Sequence, residues 1–582
     1  MLSKIRKIIL LILGLAGLLT LVPIIILTYL YKTADLQKPT NMPQINDSVL
    51  VCQNGVRAFN GDTLRLSKSG LWEMKLSGDP YKRGVSFGKL AEDLIYQQEK
   101  CFVDQIKAMV PSKTYLGMLR YFVLAFNHSL GKYVDKEFRE EIYGVSQSCS
   151  NDFNFVCEPY ERQMNYHSAH DIGHVMQDYM LVGCTSFAAW DNSTVDGSLI
   201  IGRNFDFYVN DDFAKNKIVI FCNPSNGYKY ASVSWPGMVG VLSGMNEKGL
   251  TVTINASKSA IPTSSATPIS IFAREVLQYA QNIDEAIAIA KRRKTFVSES
   301  VLIGSAVDGK AVVIEKAPNR MGIVSVDTSF VISTNHYQSE TFANDQRNLD
   351  NIETSDSYNR YKRVEQLLNR KFPINEHSAV AVLRDYKGLN DTVLGWTNEQ
   401  AINQFIAHHS VVFNATKLKM WVSTSPWQVG EYVAYDLKEI FANKLSFAHE
   451  ITTTKETIPA DDSISILDLT KIKEYKKLSS SMRKAIRINA ELDSTMINYF
   501  EKLNPHFYGA YELIGDYYLS IGDSLTAVQK WDMALTKAIP RQSDLQRLEE
   551  KVNNLPPIIL FEPDSLRTDS LAVEKIAKTQ IK

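Results

Sequence analysis

The sequence predicts an α+β fold, in which blocks of antiparallel strands alternate with blocks of helices. After Cys184, short runs rich in β-branched and aromatic residues, such as "KIVIFCN" and "LTVTINAS", are separated by turn residues. This pattern is typical of an antiparallel meander. Helices are predicted next at about 270–280 and 283–293, then further strands, a helix at about 358–369, and a strand pair at 409–437. Strands grouped with strands favour α+β over a parallel βαβ sheet.

Length and charge limit the classes of protein to consider. The chain has 582 residues, more than one compact domain usually holds, so several units are expected. Its 64 basic residues are balanced by 64 acidic ones. A net charge of zero argues against a nucleic-acid-binding protein.

The first thirty residues predict a membrane anchor. A basic tip at residues 1–7 precedes an uncharged, largely apolar run at residues 8–31, which is long enough to cross a bilayer as a helix. No small-residue cleavage site follows in "ILTYLYKTADL", so an uncleaved anchor is favoured over a signal peptide. The basic residues favour a cytoplasmic amino terminus. Residues 32–50 would be a linker, and the rest would lie in the periplasm, a lumen or the extracellular space.

Cysteine and histidine spacing gives only weak signals. The chain has six cysteines, and the spacing of Cys149 and Cys157 would allow a small disulfide-closed loop. No CxxC or structural-zinc spacing is present. His170 and His174 are four residues apart on a predicted helix, 161–180, but no HExxH glutamate accompanies them. We therefore expect no metal and no cofactor.

The carboxyl-terminal region, 455–555, is predicted to be helical, with a flexible tail at 556–582. It matches the tetratricopeptide pattern at five positions, which are Gly515, Tyr518, Ala527, Trp531 and Ala534. A single repeat is clear, and a partner-binding array usually needs three or more. Two interpretations stay open: a helical hairpin that packs on the catalytic domain, or a surface for a protein partner.

Cys184 stands at the start of the first strand after the helical region. A lone cysteine is ordinarily a small buried hydrophobe. Here Arg203 and Asp206 lie in the next predicted strand, "LIIGRNFDF", and a hairpin would return them to the neighbourhood of the thiol. Burying charge is costly without a partner. An arginine favours the thiolate, and a carboxylate accepts hydrogen bonds from an amine.

These residues also carry a family resemblance. "GCTSFAAWDNSTVDGSLIIGRNFDF", with "GMNEKGLTVTINAS", "STNHY" and "YNRYKRV" further on, resembles the penicillin acyltransferase and linear-amide hydrolase branch of the N-terminal-nucleophile superfamily. Choloylglycine hydrolases, penicillin V acylases and acid ceramidases are related. The resemblance spans roughly residues 78–437. It implies a four-layer αββα sandwich, with 51–183 as prosegment or α subunit and 184–450 as catalytic domain.

The resemblance implies specific roles for site residues. The chain would cut itself between Gly183 and Cys184, so that Cys184 becomes an amino-terminal nucleophile. Its own α-amine, with a reference pKa of about 7.7–8.0, would be the base. Arg203 and Asp206 would orient this pair. The remaining positions matched are Asn255 and Asn335, at the oxyanion site, and Arg360, a second arginine for which Arg363 is the competing assignment.

The implied function is a membrane-anchored, self-processing cysteine amidohydrolase that acts on a small-molecule N-acyl amide. Two alternatives stay open: an acyltransferase with the same acyl-enzyme, and a non-catalytic scaffold that retains the fold. The segment 32–183, about 150 residues, resembles acyltransferases and ceramidases more than bile salt hydrolases, whose leader is very short. The strand aromatics are expected to be core rather than an acyl pocket; they are Trp190, Phe205, Phe207, Tyr208 and Trp235.

Overall fold

The computed structural model describes residues 21–30, 32–45, 48–51, 54–109, 121, 123, 125–168, 181–259, 265–442, 447 and 449–554. Most of the expected anchor therefore lies outside the described residues, as do His170, His174 and the tail after 554. Residues 21–30 are helical and largely exposed. In the described part of the chain, no helix has both the length and the apolar character needed to span a bilayer.

Two large sheets form the centre of the described structure. The larger has eleven strands, in the spatial order β1 (Leu50–Val51), β2 (Arg57–Phe59), β3 (Asp62–Leu66), β4 (Trp72–Gly78), β9 (Ile218–Pro224), β10 (Tyr230–Ser234), β11 (Ser243–Asn246), β12 (Leu250–Ala256), β13 (Glu299–Ser305), β14 (Lys310–Ala317) and β15 (Arg320–Val324). The smaller has six, in the order β16 (Phe330–Ser333), β6 (Thr185–Asp191), β7 (Gly197–Phe205), β17 (His409–Asn414), β18 (Lys419–Ser423) and β19 (Tyr432–Asp436). A separate two-stranded ribbon joins β5 (Leu181–Val182) to β8 (Phe207–Tyr208).

The predicted meander after Cys184 is divided between these sheets, which corrects the single meander expected from the sequence. β6 and β7 form the predicted hairpin, with Ser186 opposite Arg203, in the smaller sheet. β9 to β15 then run as an antiparallel meander in the larger sheet. Strands before Cys184 were not predicted, yet β4 pairs in parallel with β9 from Trp72–Ile218 to Gly78–Pro224. The segment before the cysteine is thereby part of the larger sheet.

The layers follow from strands that are buried on both faces. In β9, Val219 and Phe221 point into the core between the sheets, together with Leu199 of β7, whereas Ile218 and Ile220 point to the outer helices. This alternation is the period-2 pattern of a strand. The helices on the larger sheet are α1 (Pro80–Leu90), α2 (Glu92–Met109), α3 (Lys136–Ser146), α4 (Pro159–His167), α5 (Ile269–Tyr279) and α6 (Ile283–Arg292). After α7 (Gln346–Thr354), the smaller sheet is covered by α8 (Ser357–Lys371) and α9 (Glu376–Leu383). The result is an α+β sandwich, in which two sheets lie between outer layers of helices.

A helical region follows the sandwich and the short helix α10 (Leu437–Phe441). It consists of α11 (Ile466–Ile488), α12 (Ser494–Leu503), α13 (Tyr508–Ser520), α14 (Ser524–Leu535) and α15 (Gln542–Asn553). Gly515 of α13 lets Trp531 of α14 approach closely, since a Cβ at 515 would lie 2.4 Å from the indole nitrogen. Ile472 of α11 packs with Phe405 and Trp427 of the sandwich. The helices therefore pack against the sandwich, as one of the two open interpretations expected.

Candidate active site

Cys184 connects the short ribbon to the smaller sheet. Its side chain is fully buried between β5 and β6. On the amino-terminal side, Val182 pairs with Phe207, and the N–H of Gly183 donates to the main-chain carbonyl of Asp206 at 3.0 Å. The same return strand that carries Arg203 thus holds the residues on both sides of the Gly183–Cys184 bond.

Gly183 has no space for a side chain. A Cβ at this position would lie 2.5 Å from Nε2 of Gln404, which is itself buried and donates to the carbonyl of Glu399 at 3.3 Å. Because residue 183 is a glycine, no side chain of its own shields the carbonyl carbon that the thiol would attack. Sequence reasoning did not find Gln404, because it lies in a loop without a recognisable motif.

Arg203 lies beside the thiol in a fixed orientation. Its Nη2 is 3.8 Å from Sγ of Cys184, and its guanidinium lies 4.3 Å from the centre of the Phe205 ring. Further donors of the guanidinium bond the carbonyls of Leu242, at 3.0 Å, and Ile254. A buried arginine with so many acceptors brings a permanent positive charge to the sulfur, which favours a thiolate.

Burial nevertheless dominates the titration of the thiol. It raises the pKa of Cys184 to about 11, and the charges of Asp206 and Glu299 act in the same direction, while Arg203 and Arg360 oppose them. At neutral pH the thiol of the uncut chain is therefore protonated. A nucleophilic role needs a base that removes this proton.

Asp206 is a fully buried carboxylic acid in the same site. Within the described part of the chain, neither oxygen of its carboxyl group has a hydrogen-bond partner. Burial raises its pKa to about 8, against the lowering effect of Arg360 and Arg203. Buried polar groups without a partner are rare and call for an explanation.

Asn255 and Asn335 lie near the cysteine, but their amide groups bond protein atoms. Nδ2 of Asn255 donates to the carbonyl of Ser333 at 2.8 Å, and its Oδ1 accepts from Oγ of Ser186 at 3.1 Å. Nδ2 of Asn335 donates to the carbonyl of Ala256 at 2.9 Å. Their expected role at an oxyanion site stays a prediction.

Arg360 reaches the cysteine from α8. Its Nη1 donates to the main-chain carbonyl of Cys184 at 2.6 Å and its Nη2 to Oδ1 of Asn335 at 2.6 Å. Asp356, one turn earlier on the helix, accepts from Nε and Nη2 of Arg360 at 3.1 and 2.8 Å. Arg363 instead bonds Asp385 through Nε at 2.8 Å, so the structure brings Arg360 to the cysteine and not Arg363.

Further site residues were missed by the sequence reasoning. Asp356 had a recognisable signal, because an acidic residue four positions before an arginine on one helix is a natural ion pair. Ser243 and His409 had none: Oγ of Ser243 lies 2.8 Å from Nε2 of His409 and accepts from Arg203. They meet only because β11 and β17 belong to the two sheets that face each other.

His167 is a structural histidine. Its Nδ1 donates to the carbonyl of Gln163 at 2.7 Å, and its Nε2 accepts the N–H of Val239 at 2.9 Å. Burial lowers its pKa to about 4, so the ring is neutral. With both nitrogens bonded to main-chain groups, His167 helps to join α4 to the sandwich.

An aromatic cluster lies next to Cys184. Phe205, Phe207 and Trp235 stack on one another, with ring centres 5.8–6.4 Å apart, and all are buried, in agreement with the expectation of a core. Phe207 and Trp235 also line a cavity of about 40 Å³ together with Phe102 and Tyr166 of the segment before the cysteine. A space of this size holds more than one water molecule, since one water needs about 10–15 Å³.

Comparisons with known proteins found one matching family and several relatives. Residues 193–425 match the family described as acyl-coenzyme A:6-aminopenicillanic acid acyl-transferase, and the match begins in the turn of the β6–β7 hairpin. An uncharacterised protein of Archaeoglobus fulgidus is 25% identical over 425 residues, which cover 65% of this chain and 68% of the relative. The N-acylethanolamine-hydrolyzing acid amidase of Caenorhabditis elegans is 24% identical over 294 residues, covering 48% and 76%.

Among solved structures, a variant of the conjugated bile acid hydrolase of Clostridium perfringens is 16% identical, covers 49% of this chain and 99% of that chain, and has a TM-score of 0.30. The resemblance carried by the motif at Cys184 is confirmed by the family match over residues 193–425. Over these residues the chain is similar to the acyl-coenzyme A:6-aminopenicillanic acid acyl-transferase family, and its relatives include an acid amidase.

Proposed function

We propose that this chain is a self-processing cysteine amidohydrolase that cleaves a linear N-acyl amide. The observation that carries the proposal is the convergence on one peptide bond of groups that are distant in sequence. Arg203 lies 3.8 Å from the Cys184 sulfur, and Arg360 bonds the carbonyl of the same residue from 176 positions away. Among the residues that the structure describes, the carboxyl group of Asp206 has no hydrogen-bond partner, and the main-chain carbonyl of the same residue accepts the N–H of Gly183.

In the first step, the Cys184 sulfur attacks the carbonyl carbon of Gly183. The tetrahedral intermediate expels the Cys184 nitrogen, which takes up the thiol proton, so a thioester replaces the peptide bond. Water then adds to the thioester and releases the thiol. The products are a carboxylate at Gly183 and a cysteine with a free α-amine.

The unpartnered carboxyl group explains why this cleavage would be useful. An α-amine has a reference pKa of about 7.7–8.0, so it is largely an ammonium group at neutral pH. Asp206 would gain a charged hydrogen-bond donor that the peptide nitrogen cannot supply, and a carboxylate next to an ammonium group is stabilised. The neutral α-amine would accept the thiol proton, and the Asp206 carboxylate would stabilise the ammonium group that results.

In turnover, the sulfur attacks the amide carbonyl of the substrate, the α-amine passes its proton to the leaving amine, and water releases the acyl group. The printed name of the Caenorhabditis elegans relative, an N-acylethanolamine-hydrolyzing acid amidase, supports an N-acyl amide as the substrate class. Phe102 and Tyr166, which precede Cys184 in the chain, line the cavity beside Phe207 and Trp235, so the segment before the cysteine forms part of the cavity wall.

A second candidate is acyl transfer through the same acyl-enzyme. It is favoured by the description of the matching family, which is an acyl-transferase. Product analysis in the presence of a competing amine separates the two. Transfer predicts a new amide, whereas hydrolysis predicts the free acid.

The first experiment is intact mass and amino-terminal sequencing of the purified protein beside Cys184→Ala. A fragment that begins at Cys184 in the wild type and is absent in the variant supports the proposal. A folded wild-type chain that stays uncut would remove the base from the mechanism. The non-catalytic scaffold would then be the better account.

We also propose that residues 8–31 anchor the protein in a membrane, with the sandwich on the extracytoplasmic side. The support is the apolar run after a basic tip in the sequence. Protease treatment of intact cells or spheroplasts tests the orientation, since an extracytoplasmic sandwich would be digested without lysis. Digestion only after lysis would contradict it.

A further inference from the structure

We propose that Arg541, in the C-terminal helical region, is a positioning residue of the active site that acts through Asp356 and Arg360 on Cys184. The inference deepens the proposed function and rests on it. The helical region lies beyond residue 425, where the family match ends. Arg541 would therefore support the active site from outside the residues that match the family.

Two arginines, Arg541 and Arg360, bond the same carboxylate, that of Asp356. Arg541 stands directly before α15, and its Nε donates to Oδ1 of Asp356 at 3.1 Å. The other carboxylate oxygen, Oδ2, accepts Nε and Nη2 of Arg360. Arg360 in turn donates to the carbonyl of Cys184. Both oxygens of Asp356 are thus in use, one for each arginine.

This ion pair is not a typical surface salt bridge. The side chains of Asp356 and Arg360 are 6% and 1% exposed, and that of Arg541 is 26% exposed. The positive charges of Arg360 and Arg541 hold the pKa of Asp356 below its usual value in spite of burial. Removing one partner of a buried, hydrogen-bonded charge is costly, because the remaining charge is left uncompensated. Without Arg541, Oδ1 of Asp356 would lose this hydrogen bond, and the carboxylate could rotate away from Arg360.

The segment that carries Arg541 is attached to the sandwich by side chains of one loop. Nδ2 of Asn398 donates to the carbonyl of Ala538 at 2.9 Å, and Nε2 of Gln400 donates to the carbonyl of Ile539 at 3.2 Å. The same loop continues to Gln404, which lies against Gly183. The helical region therefore supports the Gly183–Cys184 bond from both sides, through Arg541 at Cys184 and through this loop at Gly183.

One consequence concerns the order of events. Arg541 lies 185 positions after Asp356 in the chain, and it reaches the carboxylate only when the helical region is folded and docked. Self-cleavage at Gly183–Cys184 would thus be slow until the C-terminal helices are in place. The chain would then be cut only after its C-terminal helices have folded and docked.

The test compares three full-length variants: Arg541→Gln, Arg541→Lys and the matched control Arg547→Gln. Arg547 is also an ion-paired arginine of the helical region, bonded to Glu512 and Asp544, but it does not contact Asp356. Newly made protein is sampled over time, and the cut fraction is read by intact mass. The thermal unfolding midpoint is measured for each chain.

We expect Arg541→Gln to slow self-cleavage by about tenfold or more, since a small misplacement of a positioned group can cost about a hundredfold. Arg541→Lys should recover most of the rate, because it keeps a positive charge beside Asp356. Arg547→Gln should cut at the wild-type rate with an unfolding midpoint like that of Arg541→Gln. A wild-type rate in Arg541→Gln, or equal slowing in Arg547→Gln, would overturn the inference.

A second measurement separates this inference from the proposed function. A wild-type chain that never cuts contradicts the proposed function, and the support of Arg360 is then read directly from crystal structures. Uncut Cys184→Ala chains with and without Arg541→Gln are compared. The inference expects Nη1 of Arg360 to move about 1 Å or more from the carbonyl of residue 184. An unchanged contact overturns it.

Discussion

Asp206 accepts the N–H of Gly183 through its main-chain carbonyl at 3.0 Å, while both oxygens of its side chain lack a hydrogen-bond partner in the described part of the chain. Asp206 thus holds Gly183 through its main chain, while its carboxyl group needs a further hydrogen-bond donor. Leaving a buried polar group unpaired costs about 1–3 kcal/mol. The uncut chain bears this cost, and the proposed cleavage would remove it.

Asp206→Asn should separate stability from activity. The variant replaces a buried acid that has no hydrogen-bond partner in the described part of the chain, so Asp206→Asn in the Cys184→Ala background should have a thermal unfolding midpoint equal to or above that of Cys184→Ala alone. Amide hydrolysis should fall by about a hundredfold or more, in the range of a lost acid–base group. Activity assays and thermal melts check both points. Full activity with a lowered midpoint would show that Asp206 is only a structural residue.

The uncut chain should lose stability as the pH rises from about 4 to about 8. Asp206 has a pKa raised to about 8 in the folded chain, against about 3.9 when unfolded. Between these values the folded chain keeps the proton and the unfolded chain releases it, so the free energy of unfolding falls with rising pH. One such group contributes at most about 1.4 kcal/mol per pH unit. Above pH 8 the effect should end.

Urea unfolding of Cys184→Ala at several pH values measures this slope. The matched control adds Asp206→Asn. Glu73 and Glu399, whose pKa values burial raises to about 7, contribute in both chains and cancel in the difference. Equal pH slopes in the two chains would contradict the assignment.

Arg360→Lys should slow self-cleavage, whereas Arg363→Lys should lower only the stability of the chain. Arg360 bonds the Cys184 carbonyl, Asn335 and Asp356 at once, and a lysine cannot reproduce this planar set of donors. We expect self-cleavage to fall by about tenfold or more. Arg363 bonds Asp385 and Asp391, away from the cysteine, so its variant should lower the unfolding midpoint and cut at the wild-type rate. The reverse result would favour Arg363 as the active-site arginine.

Gly515→Ala should destabilise the helical region. The added Cβ would lie 2.4 Å from Nε1 of Trp531 and 3.0 Å from the carbonyl of Ala527. Overpacking of this kind typically costs about 1–3 kcal/mol. Differential scanning calorimetry should show a lowered midpoint for the helical region. Ser520→Ala, at the end of the same helix, is the control, and an unchanged midpoint in Gly515→Ala would show that α13 and α14 can move apart freely.

Local patterns in the sequence determined the positions of most strands after Cys184, because strands buried on both faces have nearly continuous apolar runs. The hairpin from Cys184 to Arg203 was predictable for the same reason, together with the turn residues between its strands. Helix α8 and its arginines followed from a regular helical pattern. The family motif assigned Cys184, Arg203, Asp206 and Arg360, and the structure places all four around one peptide bond.

Only the tertiary structure decided which sheet each strand joins. A period-2 pattern shows that a strand has two faces, but it contains no information on the neighbouring strand. The parallel pairing of β4 with β9, the meeting of Ser243 with His409, and the contact of Gln404 with Gly183 all join segments far apart in the chain. The contact of Arg541 with Asp356 belongs to the same class, since it depends on how a folded helical region docks against a folded sandwich.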